Sequence, residues 1–204
     1  MSLSPVVLVA TANKKKLEEL RTLLSGLNLT LKCLAELPHY TAVLEDGKTF
    51  EENAVKKALG YARQSGLLTL AEDSGLCCEA LEGAPGIYSA RFSGPEATDS
   101  DNNHKLLKLF EKIPDNCRSA WYHSVVAIAT PEKILGIAEG KVFGLIHKQL
   151  EGNQGFGYDP LFYYPPFRRT FGCVSAKEKH AVSHRAIDLQ KAKELLLAYV
   201  NGNK

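Results

Sequence analysis

VVLVATANKKKLEEL, residues 6–20, decides the fold class of this chain. Val6 to Ala10 is a continuous apolar, β-branched run, the pattern of a strand buried on both faces, and it gives way within three residues to a helical pattern. Leu17, Leu20, Leu23 and Leu24 fall on one face of that helix, Asn13 is placed to cap its amino end, and Gly26 stops it. Strand, short turn and helix predict an α/β fold that starts parallel, and open sheets of that kind hold ligands at the carboxyl ends of strands.

Outward from this unit, residues 29–33 alternate as a second strand and Pro38 to Glu45 reads as loop. Thr49-Phe50-Glu51-Glu52 is a capping box that starts a helix running to about Gln64, with Phe50, Ala54, Ala58 and Tyr61 on one face, Asn53 and Lys57 on another, and Gly66 closing it. Residues 67–71 predict a third buried strand that ends abruptly in Glu72-Asp73-Ser74-Gly75, where Ser-Gly permits a sharp turn. Asp99 or Ser100 caps a helix carrying Leu106, Leu107, Leu109, Phe110 and Ile113. Residues 120–130 and 134–146, joined around Pro131-Glu132-Lys133, add a hairpin, so the sheet is mixed. A last helix begins near His184 and buries Ile187, Leu195, Leu196 and Val200. Without repeat or flexible linker, residues 1–204 form one domain in which any second lobe shares the core of the first.

Twenty-five Lys and Arg against 23 Asp and Glu leave a net charge of +2 over 204 residues, no global field for nucleic acid or an anionic membrane. Cys33, Cys77, Cys78, Cys117 and Cys173 are odd in number and lack the spacing of a zinc or redox site, which suits free thiols in a reducing compartment. No run approaches the roughly 18 apolar residues of a membrane span, and no signal-peptide pattern opens the chain. A cytoplasmic protein is expected.

Four segments carry chemistry. Thr11-Ala12-Asn13-Lys14-Lys15-Lys16 lies where a strand's carboxyl end meets a helix amino end, so backbone amides, hydroxyl, carboxamide and ammonium groups converge as phosphate ligands do. It lacks the Walker and Rossmann glycines, and reads equally as a capped, solvated first turn. Glu72-Asp73, with Glu45 upstream, could hold a hard cation and polarise a water; adjacent acids also simply make turns. Gly155-Phe156-Gly157-Tyr158-Asp159-Pro160 offers a stacking ring on a close-approaching backbone, or a tight hairpin with a core Phe. Lys179 with Ser183-His184-Arg185 could read phosphate or a carbonyl-bearing base, or be a capped helix start with basic residues.

Together, in this order, VVLVATANKKKLEEL, TFEENAVKKA (49–58), AEDSGLCCEALEGAPGIYSARFSG (71–94), QGFGYDPLF (154–162) and EKHAVSHRAIDL (178–189) resemble the inosine triphosphate pyrophosphatase family, also called XTP/dITP diphosphatases. The resemblance implies an α/β fold with an elongated mixed β-sheet flanked by helices, two lobes around a central active-site cleft, and a homodimer. It implies Mg2+-dependent hydrolysis of ITP, dITP and XTP to the monophosphate and pyrophosphate. By position, Thr11, Ala12, Asn13, Lys14, Lys15, Lys16 and Lys57 match triphosphate ligands, and Ser74 a substrate contact. Glu45, Glu72 and Asp73 match the metal site, with Asp73 also the proton acceptor. Phe156, Gly157, Tyr158, Asp159, Lys179, His184 and Arg185 match the nucleoside pocket.

Three departures stand out: Glu72 where many members have Asp, Ala12 for a frequent Gly, and Gln154 for the first Gly of a common GGFGYDP. A pocket of donors that includes Arg185 would satisfy a 6-oxo group and leave its own groups unpaired against a 6-amino group. Two other readings compete. A non-hydrolysing nucleotide binder has little need of Glu45, Glu72 and Asp73 together, and a Maf-type pyrophosphatase is disfavoured by the intact GFGYDP and SHR segments.

Overall fold

The computed structural model describes residues 4–202. A single seven-stranded sheet runs in the order β2-β1-β3-β4-β5-β6-β7. Its strands are β1 (Val6–Val9), β2 (Thr30–Cys33), β3 (Leu68–Cys78), β4 (Ser119–Ala129), β5 (Ile134–Ile146), β6 (Phe162–Tyr164) and β7 (Arg169–Thr170). The helices are α1 (Lys14–Leu24), α2 (Phe50–Ser65), α3 (Asp99–Phe110), α4 (Ala176–His180) and α5 (His184–Gly202). β1 pairs in parallel with β2 and β3, whereas β5, β6 and β7 pair antiparallel, so the sheet is mixed as the sequence predicts.

Local chemistry accounts for the helix ends. The Asn13 side chain accepts from the Lys16 amide, and Thr49 accepts from the Glu52 amide. Glu52 reaches back one residue further than a capping box requires, to the Lys48 amide at 2.7 Å. Gly66 ends α2 in the left-handed region at φ 68°. α3 is capped by Thr98, one residue before the position expected, through a reciprocal pair with Asp101.

The chain divides into two compact units. The first holds the described residues up to Asp73, residues 124–140 and those from Arg185 onward; the second holds residues 74–123 and 141–184. Each unit contains a cluster of buried apolar residues. Val7, Val9, Leu20, Leu24, Leu70, Val126, Ile128, Leu189 and Leu196 build the first. Leu76, Leu106, Phe110, Tyr122, Val142, Ile146, Phe162 and Phe171 build the second. α5 buries Leu189, Ala192 and Leu196 as an i, i+3, i+7 stripe, and Ile187 is exposed rather than buried as expected.

The largest departure is in β3. The sequence predicts a strand that stops before Glu72-Asp73-Ser74-Gly75, yet β3 runs through all four residues to Cys78. Leu76, Cys77 and Cys78 continue the buried pattern, and the two carboxylates stay inside because basic partners meet them. Gly75 is present for space and not for a turn: a Cβ there would lie 2.3 Å from the Gly86 carbonyl oxygen and 2.4 Å from Ser89 Oγ. Burial pushes the neighbouring Cys77 thiol up to about 11, and Cys78 higher still, so both are held as thiols. Gly75→Ala should therefore cost about 1–3 kcal/mol of stability through overpacking. Urea unfolding is the check, with a lower midpoint at unchanged slope expected.

Candidate active site

In the first unit, the β1–α1 turn presents Thr11, Ala12, Asn13, Lys14 and Lys15 to solvent or at half burial. Thr11 Oγ1 accepts the Asn13 amide at 3.2 Å and Asn13 Oδ1 the Lys16 amide at 3.1 Å. Side chains thus satisfy amides at a helix amino end, where an anion would otherwise be welcome. The Lys16 side chain, 18% exposed, reaches to 3.7 Å from Glu72 Oε1. Burial lowers its pKa, and Glu72 pulls the other way.

α2 contributes Lys57, which packs inward although the sequence places it off the apolar face. Its ammonium donates to Glu45 Oε2 at 2.7 Å, to the Glu72 carbonyl at 2.9 Å and to Asp73 Oδ1 at 3.3 Å. Burial would lower the Lys57 pKa, but Asp73 and Glu45 outweigh it and hold the group charged. For Asp73 burial wins, and its carboxyl lies above the usual range despite the pull of Lys57 and Lys16. One turn before Lys57, Asn53 donates to Asp73 Oδ2 at 3.2 Å and accepts the Gly47 amide at 2.8 Å. Asn53 therefore fixes both the Asp73 carboxylate and the loop that carries Glu45. The sequence holds a signal for it, since Asn53 and Lys57 share a helix face.

Glu72 has a different environment from Asp73. Both its oxygens are taken by Arg185, Nε to Oε2 at 2.7 Å and Nη2 to Oε1 at 2.8 Å, with each side chain 1% exposed. Glu19 of α1 also pairs with Arg185. Burial would lower the Arg185 pKa; Glu72, Glu19 and Asp188 together raise it. Asp188, fully buried one turn further along α5, has its carboxyl pushed well up by burial and then by Glu72. The structure thus places Arg185, expected in a nucleoside pocket, on the acid expected to bind metal. Nothing in the sequence marks Glu19 or Asp188 as members of this group.

In the second unit, the segment 155–159 makes the turn its glycines permit, with Gly155 at φ 73° and Gly157 at φ 61°. A Cβ at Gly155 would also sit 2.0 Å from Asp159 Oδ2. That oxygen accepts the Phe156 amide at 2.9 Å and Lys179 Nζ at 2.6 Å, in an ion pair 1% and 5% exposed at its two side chains. Lys179 Nζ lies 4.7 Å from the centroid of the Phe156 ring. Tyr122 of β4, which the sequence does not single out, donates to Asp159 Oδ1 at 3.2 Å. Its ring lies parallel to the His184 imidazole, 4.8 Å away at 17°. Tyr158 is buried and donates to the Ser89 carbonyl at 2.9 Å, a packing role. Ser74 is half-buried on β3. A separate cavity of about 490 Å³ is lined by Phe110, Asp115, Arg118 and Lys148 and holds none of these residues. Arg118 there donates to the carbonyls of Phe110, Ile113, Ile146 and His147 and staples the chain.

Among the described residues, no three His, Cys, Asp or Glu side chains come together as a metal cage. Glu45 and Asp73 do converge on one cation, the Lys57 ammonium. Mg2+ is ordinarily held by one or two carboxylates with waters and substrate phosphates, so this pair fits it. Glu72, also expected at the metal, has both its oxygens on Arg185.

A family model described as the Ham1 family matches residues 7–195. A protein named dITP/XTP pyrophosphatase from Desulforamulus reducens is 47% identical over 190 residues, 93% of this chain and 94% of that relative. Another of that name from Clostridium perfringens is 42% identical over 195 residues, 93% and 96% of the two chains. Among solved structures, a HAM1 protein from Coxiella burnetii superposes with a TM-score of 0.87 at 37% identity, covering 95% of this chain and 99% of that one. The Staphylococcus aureus Ham1 protein gives a TM-score of 0.84 at 32% identity, covering 98% and 100%.

The Glu72–Arg185 pair yields a stability test. Glu72→Gln leaves a buried guanidinium with a weakened partner set and should cost about 3–5 kcal/mol, which adding Arg185→Met should partly restore. Urea unfolding of the two single variants and the double variant measures this, and equal, additive losses would contradict it.

Proposed function

The chain belongs to the Ham1 family, and on that footing we propose that it is a house-cleaning nucleoside triphosphate pyrophosphatase. Its substrates on this reading are the non-standard purine nucleotides ITP, dITP and XTP, cleaved to the monophosphate and pyrophosphate before a polymerase can use them. Relatives named dITP/XTP pyrophosphatase support the reaction. The observation that carries the mechanism is the meeting of Glu45, Lys57 and Asp73 at 2.7 and 3.3 Å in the first unit. Two acids around one cation position, beside a lysine at a helix amino end, suit a polyanion with its counter-ion.

Glu45 and Asp73 would hold Mg2+, which supplies charge neutralisation and alignment of phosphate oxygens. Asp73, oriented by Asn53, positions the water for attack at the α-phosphorus and accepts its proton. Lys16 and Lys57 offset the charge that develops on the departing pyrophosphate. Thr11, Asn13 and the exposed Lys14 and Lys15 bind the triphosphate, with Ala12 in the same turn and Ser74 a further contact. Phe156 stacks on the base over the Gly157 backbone, and Lys179, held by Asp159, donates to its 6-oxo group. His184 completes that pocket, Tyr158 supports it, and Arg185 is the counter-charge of Glu72 in the first unit. The same reading makes the protein a cytoplasmic homodimer and one domain over its whole length, with no nucleic-acid or membrane partner.

Pyrophosphate release should be fast with ITP, dITP and XTP and slow with ATP and dTTP, and EDTA should abolish it. Equal rates on ITP and ATP, or release of orthophosphate alone, would refute the reading. Asp73→Asn should lower kcat by about 100-fold or more with the unfolding midpoint little changed. Near-normal turnover in that variant would remove Asp73 from the mechanism.

A further inference from the structure

Glu45 belongs to residues 37–49, which form neither helix nor strand, so regular backbone does not fix its carboxylate. Its side chain is 40% exposed, so burial does not hold it either. Residues 41–48 nevertheless run antiparallel along α2 and are tied to it almost residue by residue. The Thr41 amide donates to Gln64 Oε1 at 2.7 Å, and Gln64 Nε2 donates back to the Thr41 carbonyl at 3.0 Å. The Val43 amide donates to the Tyr61 hydroxyl at 3.2 Å. Lys57 then holds Glu45, Lys56 reaches Asp46 Oδ1 at 2.6 Å, and the Gly47 and Lys48 amides donate to Asn53 and Glu52. As the segment advances, its partners step back along the helix from Gln64 to Glu52.

Gly60 sets how closely the two elements lie. It is the only glycine in α2, where alanine would be the better helix residue. A Cβ there would stand 2.6 Å from Val43 Cγ2 and 3.3 Å from Val43 Cγ1. Valine is branched at Cβ and stiff about χ1, so the segment itself would have to move outward to make room. Val43 is two residues from Glu45.

Resting on the reading above, we propose that Gly60, Tyr61 and Gln64 are positioning residues for Glu45, holding residues 41–43 against α2 so that the Glu45 carboxylate meets Asp73 at the cation position. Glu52, Asn53 and Lys56 fix the side of Glu45 that leads into the helix. Gln64, Tyr61 and the close approach at Gly60 fix the other side. With both sides pinned, Glu45 stands in the middle of a clamped segment. A carboxylate ordered in advance spares a divalent cation the conformational entropy of ordering it on binding. The three residues act through the segment, so their effect is read in metal affinity.

Gly60→Ala tests this in the full-length protein, with Mn2+ as the probe, titrated into nucleotide-free protein and followed by electron paramagnetic resonance. The expected result is a rise of about tenfold in the Mn2+ dissociation constant. The urea midpoint should not fall, because alanine strengthens the helix. Gln64→Ala should raise the same constant by about threefold or more. Glu45→Gln sets the loss with the carboxylate removed, and adding Gly60→Ala to it should weaken Mn2+ binding no further. Losses that simply add would mean that Gly60 acts elsewhere, and would overturn the proposal. Wild-type Mn2+ affinity in both Gly60→Ala and Gln64→Ala would overturn it too, whatever the urea midpoint does. So would a wild-type protein that fails to bind Mn2+ at millimolar concentrations. The titration needs no substrate: a wild-type protein that binds Mn2+ yet releases no pyrophosphate from ITP would refute the enzymatic reading and leave the positioning role measured.

Discussion

Everything about the acidic strand depends on charge compensation in the interior. β3 carries Glu72 and Asp73 through a region where both are nearly inaccessible to water, and an isolated carboxylate there would be neutralised or expelled. Arg185 meets Glu72 in a two-point pair and Lys57 meets Asp73 together with Glu45. The two acids are adjacent in sequence, yet strand alternation points them to opposite faces and gives them different partners. One face carries a closed pair with both carboxylate oxygens occupied. The other carries an acid whose pKa is raised and whose oxygens accept from Lys57 and Asn53, a lysine kept charged, and a second acid on a loop. On the proposed mechanism, reactivity belongs to the second face and structural support to the first.

Much of this was legible in the residues. The strand–turn–helix opening, the Thr49 start and Gly66 stop of α2, and the hairpin about Pro131 all follow from patterns that operate within a few residues. The reading of Glu72 to Gly75 as a turn failed because single-sequence reasoning prices buried charges without their partners, and Arg185 is 113 residues away. The same blindness hid Ile187: counting apolar residues on α5 assigns it inward, while the inward stripe is in fact partly charged, with Arg185 and Asp188 on it. Lys57 and Asn53 share a helix face in the sequence pattern, but only the fold supplies the carboxylate they turn toward. Tyr122 gave no signal at all, since a tyrosine in a β-rich run is ordinary.

The two units distribute their work in different ways. In the first, Asp73 stands on a strand and Lys16 and Lys57 on helices anchored beside an aliphatic core, while Glu45 comes from a loop held by Asn53. In the second, Phe156 and Asp159 stand on a glycine turn, and their geometry is borrowed from aromatic packing on the strands nearby. On the proposed reading, the chemistry that tolerates little displacement would sit on the stiffer support and recognition of a flat ring on the more adaptable one.

The Thr11 and Asn13 caps have an energetic consequence for ligand binding. In the free protein, the amides of Asn13 and Lys16 are already satisfied by Thr11 Oγ1 and Asn13 Oδ1. An incoming phosphate oxygen that takes either amide must displace a side-chain acceptor, so the hydrogen-bond count barely changes and the net gain is small. The turn carries its own surrogate for the anion. As the proposed phosphate site, it would resist weakly bound stray phosphate, because inorganic anions recover little beyond what they displace, and would favour a ligand that brings several charged groups at once. Were this turn the proposed triphosphate site, selectivity for a polyphosphate over a simple ion would begin in two short side chains before any lysine is counted.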